Sequence, residues 1–595
     1  MFRRCPKEPA MSRYPAPIAI GLTAMLLASC ASPQGSTAIA PPRSSEDMAA
    51  VAPPPPPPAP SIDAMTTRAP MPVSPASAPP VVIQSITTPP PSYAPSAEVV
   101  VTGARFVGRR EPYFPPPPTV GRDRFVAPAQ NPFRQVRQEP VSTFSIDVDT
   151  ASYSFVRASL TRNVLPQPAA VRAEEMVNYF PYDYAAPTSA ARPFNSDIAV
   201  FPSPWTAGRK VVRIGIKGYA VRPAERPRAN LVFLIDTSGS MQAPNKLPLL
   251  KQSLAMLVEQ LDARDRVAIV AYAGSAGTVL APTPASDKGR ILAALDRLSA
   301  GGSTAGAEGI RQAYALAAAN FDPRGVNRVM LATDGDFNVG ITNTDELKGF
   351  VERERGKGVF LSVLGFGMGN YNDALMQVLA QNGNGAAAYI DTIGEARKTL
   401  VEEASATLIP IAKDVKIQVE FNPTTVAEYR LIGYETRMLA REDFDNDRVD
   451  AGDVGSGQSV TALYEIVPAG GPGTAGPLRY APAKAAARGT GEYGFVKIRY
   501  KLPKSAKSQL LSTPIDRTRE VARFADAPRD ARFATGVAAF ADLLRGGKYS
   551  GSIDYDRVLA IVNGARGDDP YGYRSELVQM VRAARTAPGL TPLER

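Results

Sequence analysis

The sequence predicts an α/β protein. A doubly wound, mostly parallel sheet stands at its centre, an N-terminal α+β block precedes it, a C-terminal β-rich domain with a helical cap follows it, and a disordered Pro-rich N-terminal tether leads the chain. Three observations carry this expectation. Near-continuous apolar runs alternate with amphipathic helices between residues 228 and 408, 27 of the 57 prolines crowd into residues 31–140, and the hydrophobic period becomes strand-like beyond Pro410. At 595 residues the chain is too long for one core, and the expected boundaries are 1–29, 30–140, 141–227, 228–408 and 409–595.

Residues 1–29 read as a secretory signal: Arg13 precedes an apolar stretch over 18–27, and the small residues Ala28 and Ser29 lead to Cys30. That stretch is too short to span a bilayer as a permanent helix. Leu27-Ala28-Ser29-Cys30 resembles the lipobox of bacterial lipoproteins, which implies acylation of Cys30 and a lipid anchor in the membrane. Ordinary cleavage beside an incidental cysteine is the alternative. Ala31 stands where inner-membrane lipoproteins carry Asp, so the resemblance points to the cell envelope, at the outer membrane and facing the periplasm.

The tether, 30–140, holds the run Pro53–Pro58 among Ala, Ser and Thr. Such a composition buries too little apolar surface to offset chain entropy and favours extended polyproline II. One β-prone island interrupts it, residues 98–105 (Glu-Val-Val-Val-Thr-Gly-Ala-Arg). It resembles the segment through which outer-membrane receptors pair with TonB, by strand addition. A short β patch packing on the chain's own body is the other reading.

Residues 144–150 alternate apolar and polar as a half-buried strand should, 151–163 and 172–180 read as helices, and 197–200 and 210–217 as strands. In the central segment the apolar strands fall at 231–235, 267–271, 326–332, 359–364 and 387–390, a pattern that demands a sheet covered on both faces. The first helix there, with Asn245 as its expected cap, puts Leu247, Leu250, Leu254, Leu257, Val258 and Leu261 on one face. Strands at 415–421, 429–434, 460–466 and 493–500 follow, then helices at 530–544, 554–563 and 574–584.

Histidine is absent from the chain. That excludes Ser-His-Asp and Cys-His catalysis and His-ligated zinc, and any metal must be held by oxygen, which favours hard cations. A net charge of +10, spread without Lys/Arg blocks, reads as solvated surface and gives no footprint for nucleic acid. Oxygen donors gather where the first parallel strand ends, in Asp236-Thr237-Ser238-Gly239-Ser240, with Thr304 in the Gly-rich stretch Gly301-Gly302-Ser303-Thr304 and Asp334 after a later strand. Open parallel sheets bind ligands outside the carboxyl ends of their strands. Gly239 is expected to ease the turn that aims both serines at one point.

This Asp-x-Ser-x-Ser constellation resembles that of von Willebrand factor A (vWA) domains, which implies a Rossmann-like fold and a metal-ion-dependent adhesion site (MIDAS). The resemblance puts Ser238, Ser240 and Thr304 directly on a Mg²⁺ (or Mn²⁺ or Ca²⁺) and Asp236 and Asp334 on it through water. A protein ligand's Asp or Glu would complete the shell. Residues 144–154, 172–182 and 450–466 look like blocks of YfbK-like bacterial lipoproteins. The function expected is an envelope-anchored, cation-dependent protein-binding module and not an enzyme. The alternatives are a structural spacer with a stabilising metal, or a metal-dependent hydrolase. A second acidic run, Asp443-Phe444-Asp445-Asn446-Asp447, imitates an EF-hand start. Arg448 stands where that loop needs Gly and Val454 where it needs Glu, so a solvated loop is expected.

Overall fold

The computed structural model describes residues 123–126, 128–302, 306–335, 344–369, 371–403, 408–474 and 491–587. The signal segment, Cys30, residues 31–122 with the island at 98–105, and Thr304 lie outside the described residues. The chain opens with β1 (Arg134–Gln135), β2 (Val141–Ser145), α1 (Ala151–Thr161), α2 (Ala173–Asn178), β3 (Phe194–Pro202) and β4 (Lys210–Gly218). An alternating stretch follows: β5 (Ala229–Asp236), α3 (Leu247–Gln260), β6 (Arg266–Tyr272), β7 (Ala276–Pro284), α4 (Lys288–Asp296) and α5 (Gly306–Ala319). It continues through β8 (Val326–Thr333), α6 (Thr344–Gly356), β9 (Val359–Phe366), α7 (Asp373–Asn382), β10 (Ala387–Ile390) and α8 (Ile393–Arg397). Then come β11 (Pro410–Phe421), β12 (Val426–Ile432), β13 (Gly452–Gly455), β14 (Ser459–Pro468), β15 (Glu492–Lys501) and β16 (Ser508–Asp516). The described chain closes with α9 (Arg529–Leu544), α10 (Tyr555–Gly564) and α11 (Tyr573–Thr586).

The alternating stretch forms one sheet in the order β10-β9-β8-β5-β6-β7, parallel throughout except for β7. β5 and β8 are buried along their whole length, because helices cover both faces. Leu231, Phe233 and Ile235 pack against α3 and α4, whereas Val232 and Leu234 pack against α5, α6 and α7. The apolar stripe expected on α3 is buried, and Pro248 sits in its first turn, where a missing N–H costs little. The residue before that helix is Lys246, not the expected Asn245, and its side chain makes no cap. The antiparallel edge β7 was not foreseen, since exposed and buried residues mix irregularly along it.

The flanking blocks, expected to fold separately, form one body. β4 pairs with β14 from Lys217↔Ser459 to Lys210↔Ile466, giving a sheet in the order β1-β12-β14-β4-β3. β2 pairs with β11 inside a second sheet, which continues through β15 to β16. The two sheets sandwich a core containing Val212, Ile214, Ile417, Val419, Tyr464 and Val496. The outer face of the first sheet packs α1, α2 and α9 to α11 through Phe201, Val211 and Leu463. The vWA-like domain is thus inserted into a sandwich that the chain begins before it and finishes after it. The strand expected at 144–150 ends at Ser145, because Asp147 and Asp149 turn aside to pair with Arg437 at 2.8 and 2.7 Å.

The tether also ends earlier than expected. Residues 123–140 read as linker from their prolines, yet Phe125 packs edge-on against Phe155 at 4.4 Å, β1 pairs with β12, and Val136 is buried. Composition missed this because isolated apolar residues between prolines find partners on a body formed elsewhere in the chain.

Buried charges fix the inserted domain on that body. Arg157 on α1 pairs with Asp391 and, at 2.8 Å, with Glu395, both on the inserted domain, and reaches Glu576 on α11 at 3.0 Å. Arg172 grips both carboxylate oxygens of Asp373, at 2.7 and 3.1 Å. Removing one partner of such a cluster leaves the others buried and uncompensated. Arg157→Met is therefore expected to lower stability by roughly 3–5 kcal/mol in denaturant unfolding; a loss under about 1 kcal/mol would show that water solvates Asp391 and Glu395.

Asp453 lies at the same junction, accepting from Asn384 Nδ2 and Asp414 N, each at 3.3 Å. Burial pushes its carboxyl up to about 7, against the hydrogen bond from Asp414. A carboxyl raised on folding contributes stability that is full below its unfolded value and lost as pH rises through its folded one. Wild type should lose stability between about pH 4 and pH 7 on this account. Asp453→Asn should flatten that loss by an amount on the order of 4 kcal/mol. An unchanged slope in pH-dependent unfolding would assign the loss to other groups.

Candidate metal centre

The candidate site lies at the carboxyl ends of β5 and β8, the central pair of the parallel sheet. Asp236 is the last residue of β5 and fully buried, and its Oδ1 accepts the Ser238 amide at 2.9 Å. Its Oδ2 accepts the Thr333 hydroxyl at 3.0 Å. Burial pushes the Asp236 carboxyl up, while hydrogen bonds from Ser238 pull it back. The Ser238 and Ser240 hydroxyls lie 3.0 Å apart, Ser238 buried and Ser240 exposed. The two serine hydroxyls thus lie together beside Asp236, and Asp334 follows directly after β8.

Backbone bonds tie the serine loop to its neighbour. Gly239 N donates to Gly302 O at 3.1 Å and Gly301 N to Thr237 O at 2.8 Å. The glycine this arrangement needs is Gly302, at φ +84°, where a Cβ would press on Gly274 N at 3.2 Å. Gly239, expected to fill that role, has no positive φ, and a Cβ there would meet only Gly302 O at an ordinary 3.6 Å.

Sequence reasoning missed one member. Lys246 Nζ donates to Asp334 Oδ2 at 2.8 Å, with side-chain exposures of 9 % and 0 %. Its stem lies over Gly367, where a Cβ would fall 2.4 Å from Lys246 Cε. No local signal announces this, since the two partners stand 88 positions apart and meet only through the sheet.

The donor set is oxygen alone, and a side-chain cation already rests on one of its carboxylates. Both features fit a hard cation held by hydroxyls, carboxylates and water. Among the described residues, no group of three or more His, Cys, Asp or Glu could hold a metal. In the acidic loop, Asp445 and Asp447 turn to Arg499, at 3.3 and 3.1 Å, and Asp447 also accepts from Ser508.

The fold and this loop constellation define a von Willebrand factor type A domain protein. Residues 230–403 match the model for the von Willebrand factor type A domain and residues 119–213 a model named von Willebrand factor. Domains of this type often mediate metal-dependent protein interactions. Residues 406–587 match the C-terminal model of the uncharacterized protein YfbK. The chain is 44 % identical over 473 residues to the uncharacterized protein YfbK of Escherichia coli K12, covering 78 % of this chain and 81 % of that one. The chain belongs to the YfbK family. It is also 28 % identical over 191 residues to the uncharacterized protein sll0103 of Synechocystis, across 32 % of this chain and 44 % of that protein. Among solved structures, a von Willebrand factor type A protein from Catenulispora acidiphila aligns at 15 % identity and TM-score 0.39, over 68 % of this chain and 91 % of its own.

The site's residues divide by load. Asp236→Ala strands a buried amide and a buried hydroxyl, so a stability loss of about 2–4 kcal/mol is expected. Ser240→Ala, at an exposed position, should stay within about 0.5 kcal/mol. Equal losses in thermal and urea unfolding would mean that Ser240 is structural.

Proposed function

We propose that the chain is a non-enzymatic, envelope-anchored module that holds a protein partner through a divalent cation, Mg²⁺ or alternatively Mn²⁺ or Ca²⁺. Asp236, Ser238, Ser240, Thr304 and Asp334 would hold the ion. The observation that carries this reading is the pair of serine hydroxyls 3.0 Å apart beside the pre-oriented Asp236 carboxylate. When bound, the cation supplies an electrophilic point for a carboxylate oxygen. The chain's own residues set its selectivity. Neutral hydroxyls offset little of a cation's charge, which leaves attraction for an Asp or Glu from the partner. Asp236 is held in place by Ser238 and Thr333 and needs no reordering.

A hydroxyl-rich donor set in a sequence without histidine favours binding over hydrolysis, which needs a water-activating base. Cys30 would carry the lipid, at the outer membrane, with the following Pro-rich residues as a tether to the periplasmic body. A structural spacer whose metal only stabilises the fold is the second reading, supported by the same donor set.

One experiment separates the two. Mg²⁺ should raise the melting temperature relative to chelator, by a stabilisation of about 2.7 kcal/mol at a hundredfold excess over Kd, and Ser238→Ala should lose that increment. Crosslinking in intact cells should then recover a partner with wild type and lose it with Ser238→Ala and with chelator. A melting shift without a metal-dependent partner supports the spacer. A partner that survives both treatments excludes the metal as the recognition element.

A further inference from the structure

We propose that Lys246 is a built-in cation that occupies Asp334 until a divalent metal displaces it, and that Asp123 receives the displaced ammonium. The inference rests on the metal reading above. Lys246 is seated as a structural part. Its amide donates to Ala243 O and its carbonyl accepts from Leu250 N, which fixes its backbone at the first turn of α3. Only the side chain is left to move. Its stem crosses Gly367, a residue at φ +75°, and any other side chain there would collide with the lysine. The ammonium ends on Asp334, away from bulk water.

Two cations cannot share one buried carboxylate without repelling each other, since Coulomb repulsion is strongest where water is excluded. Binding of a dication beside Asp334 and the Lys246–Asp334 pair therefore weaken each other. The lysine would offset the Asp334 charge without metal and set the concentration at which metal enters.

A destination for the ammonium lies close by. Asp123 stands where the N-terminal segment joins the body. Its Oδ1 accepts from Gly369 N at 2.8 Å and Tyr371 N at 2.9 Å. Among the described residues, its Oδ2 takes no hydrogen bond. Burial raises the Asp123 carboxyl, while the Gly369 and Tyr371 hydrogen bonds and the charges of Arg162 and then Lys246 act to lower it. The loop that supports the lysine stem at Gly367 thus also presents the second carboxylate.

The test is calorimetric titration of the mature chain with Mg²⁺, using wild type, Lys246→Met, Asp123→Asn and the double variant. Methionine keeps the stem over Gly367 and removes the charge. Lys246→Met is expected to bind Mg²⁺ at least tenfold more tightly than wild type. Asp123→Asn should weaken binding severalfold in wild type and leave the Lys246→Met background unchanged. Adding Ser238→Ala to Lys246→Met should abolish binding, which ties the signal to this site. In wild type, Mg²⁺ should raise labelling of Lys246 by an amine-reactive ester severalfold over chelator, a readout that needs no variant. Equal Mg²⁺ affinity with and without Lys246, or unchanged labelling in wild type that binds Mg²⁺, overturns the displacement while the metal site stands. An Asp123→Asn effect of equal size in both backgrounds overturns the receiving role. Absence of Mg²⁺ binding in every variant overturns the metal reading and this inference together.

Discussion

The pairing of β4 with β14 is the constraint on which the rest of the structure depends. These strands lie side by side from Lys210↔Ile466 to Lys217↔Ser459, although the whole α/β domain stands between them in the chain. β2 and β11 repeat the arrangement in the second sheet. The sandwich can close only if the inserted domain returns its exit close to its entry. Loop-closure entropy grows only with the logarithm of length, so a long insert costs little more than a short one. An insert that folds on its own around a parallel sheet removes even that burden. β5 then leaves the sandwich at Ala229 and carries Asp236 at its far end.

Such a closure explains which parts of the fold were legible in the sequence. The parallel strands of the inserted domain were, because a sheet covered on both faces writes its burial as continuous apolar runs. β5 and β8 are the clearest cases. The union of the flanking blocks was not. Val212 and Tyr464 read as members of two separate amphipathic strands, and nothing in either segment names the other as its partner. β16 and β7 were lost for a different reason. Both are edge strands with irregular burial, and edges lack the two-sided packing that produces a strong period. At the site, Asp236, Ser238 and Ser240 were legible because their spacing is local. Lys246 was not, since its role comes from Gly367 and Asp334 in distant segments.

Charge does at the domain junction what apolar contact alone would do loosely. Ala151 and Phe155 of α1 pack on the α/β sheet, and such a contact could slide. Arg157 and Arg172 reach carboxylates of the inserted domain, and Arg437, held by Asp147 and Asp149, donates to Gln377 of α7 at 3.3 Å, which together define one orientation. Buried pairs of this kind add less to net stability than their number suggests, because desolvation offsets much of their attraction. Their effect is specificity of docking. Arg328 of β8 marks the contrast: it is buried with its Nε unpaired, its guanidinium bonds Ser362 at 2.6 Å, and burial lowers it to about 10.

These two systems of charge meet at one loop. Gly367 lies under the Lys246 stem, while Gly369 and Tyr371 hold Asp123. Asp373, which opens α7 just beyond, takes the Arg172 fork from the body and the Arg124 carbonyl on its amide. The loop is therefore pinned on three sides, by Lys246, by the segment that leads out to the N-terminus, and by the arginine that orients the domain. Contacts at Gly369, Tyr371 and Asp373 hold this loop, so on the proposed reading a rearrangement of Lys246 is a change of partner and not a drift of the backbone. On the proposed reading this is what makes the site two-state: the ammonium has one carboxylate before the metal arrives and another after it, and the pinned loop fixes where both of them are.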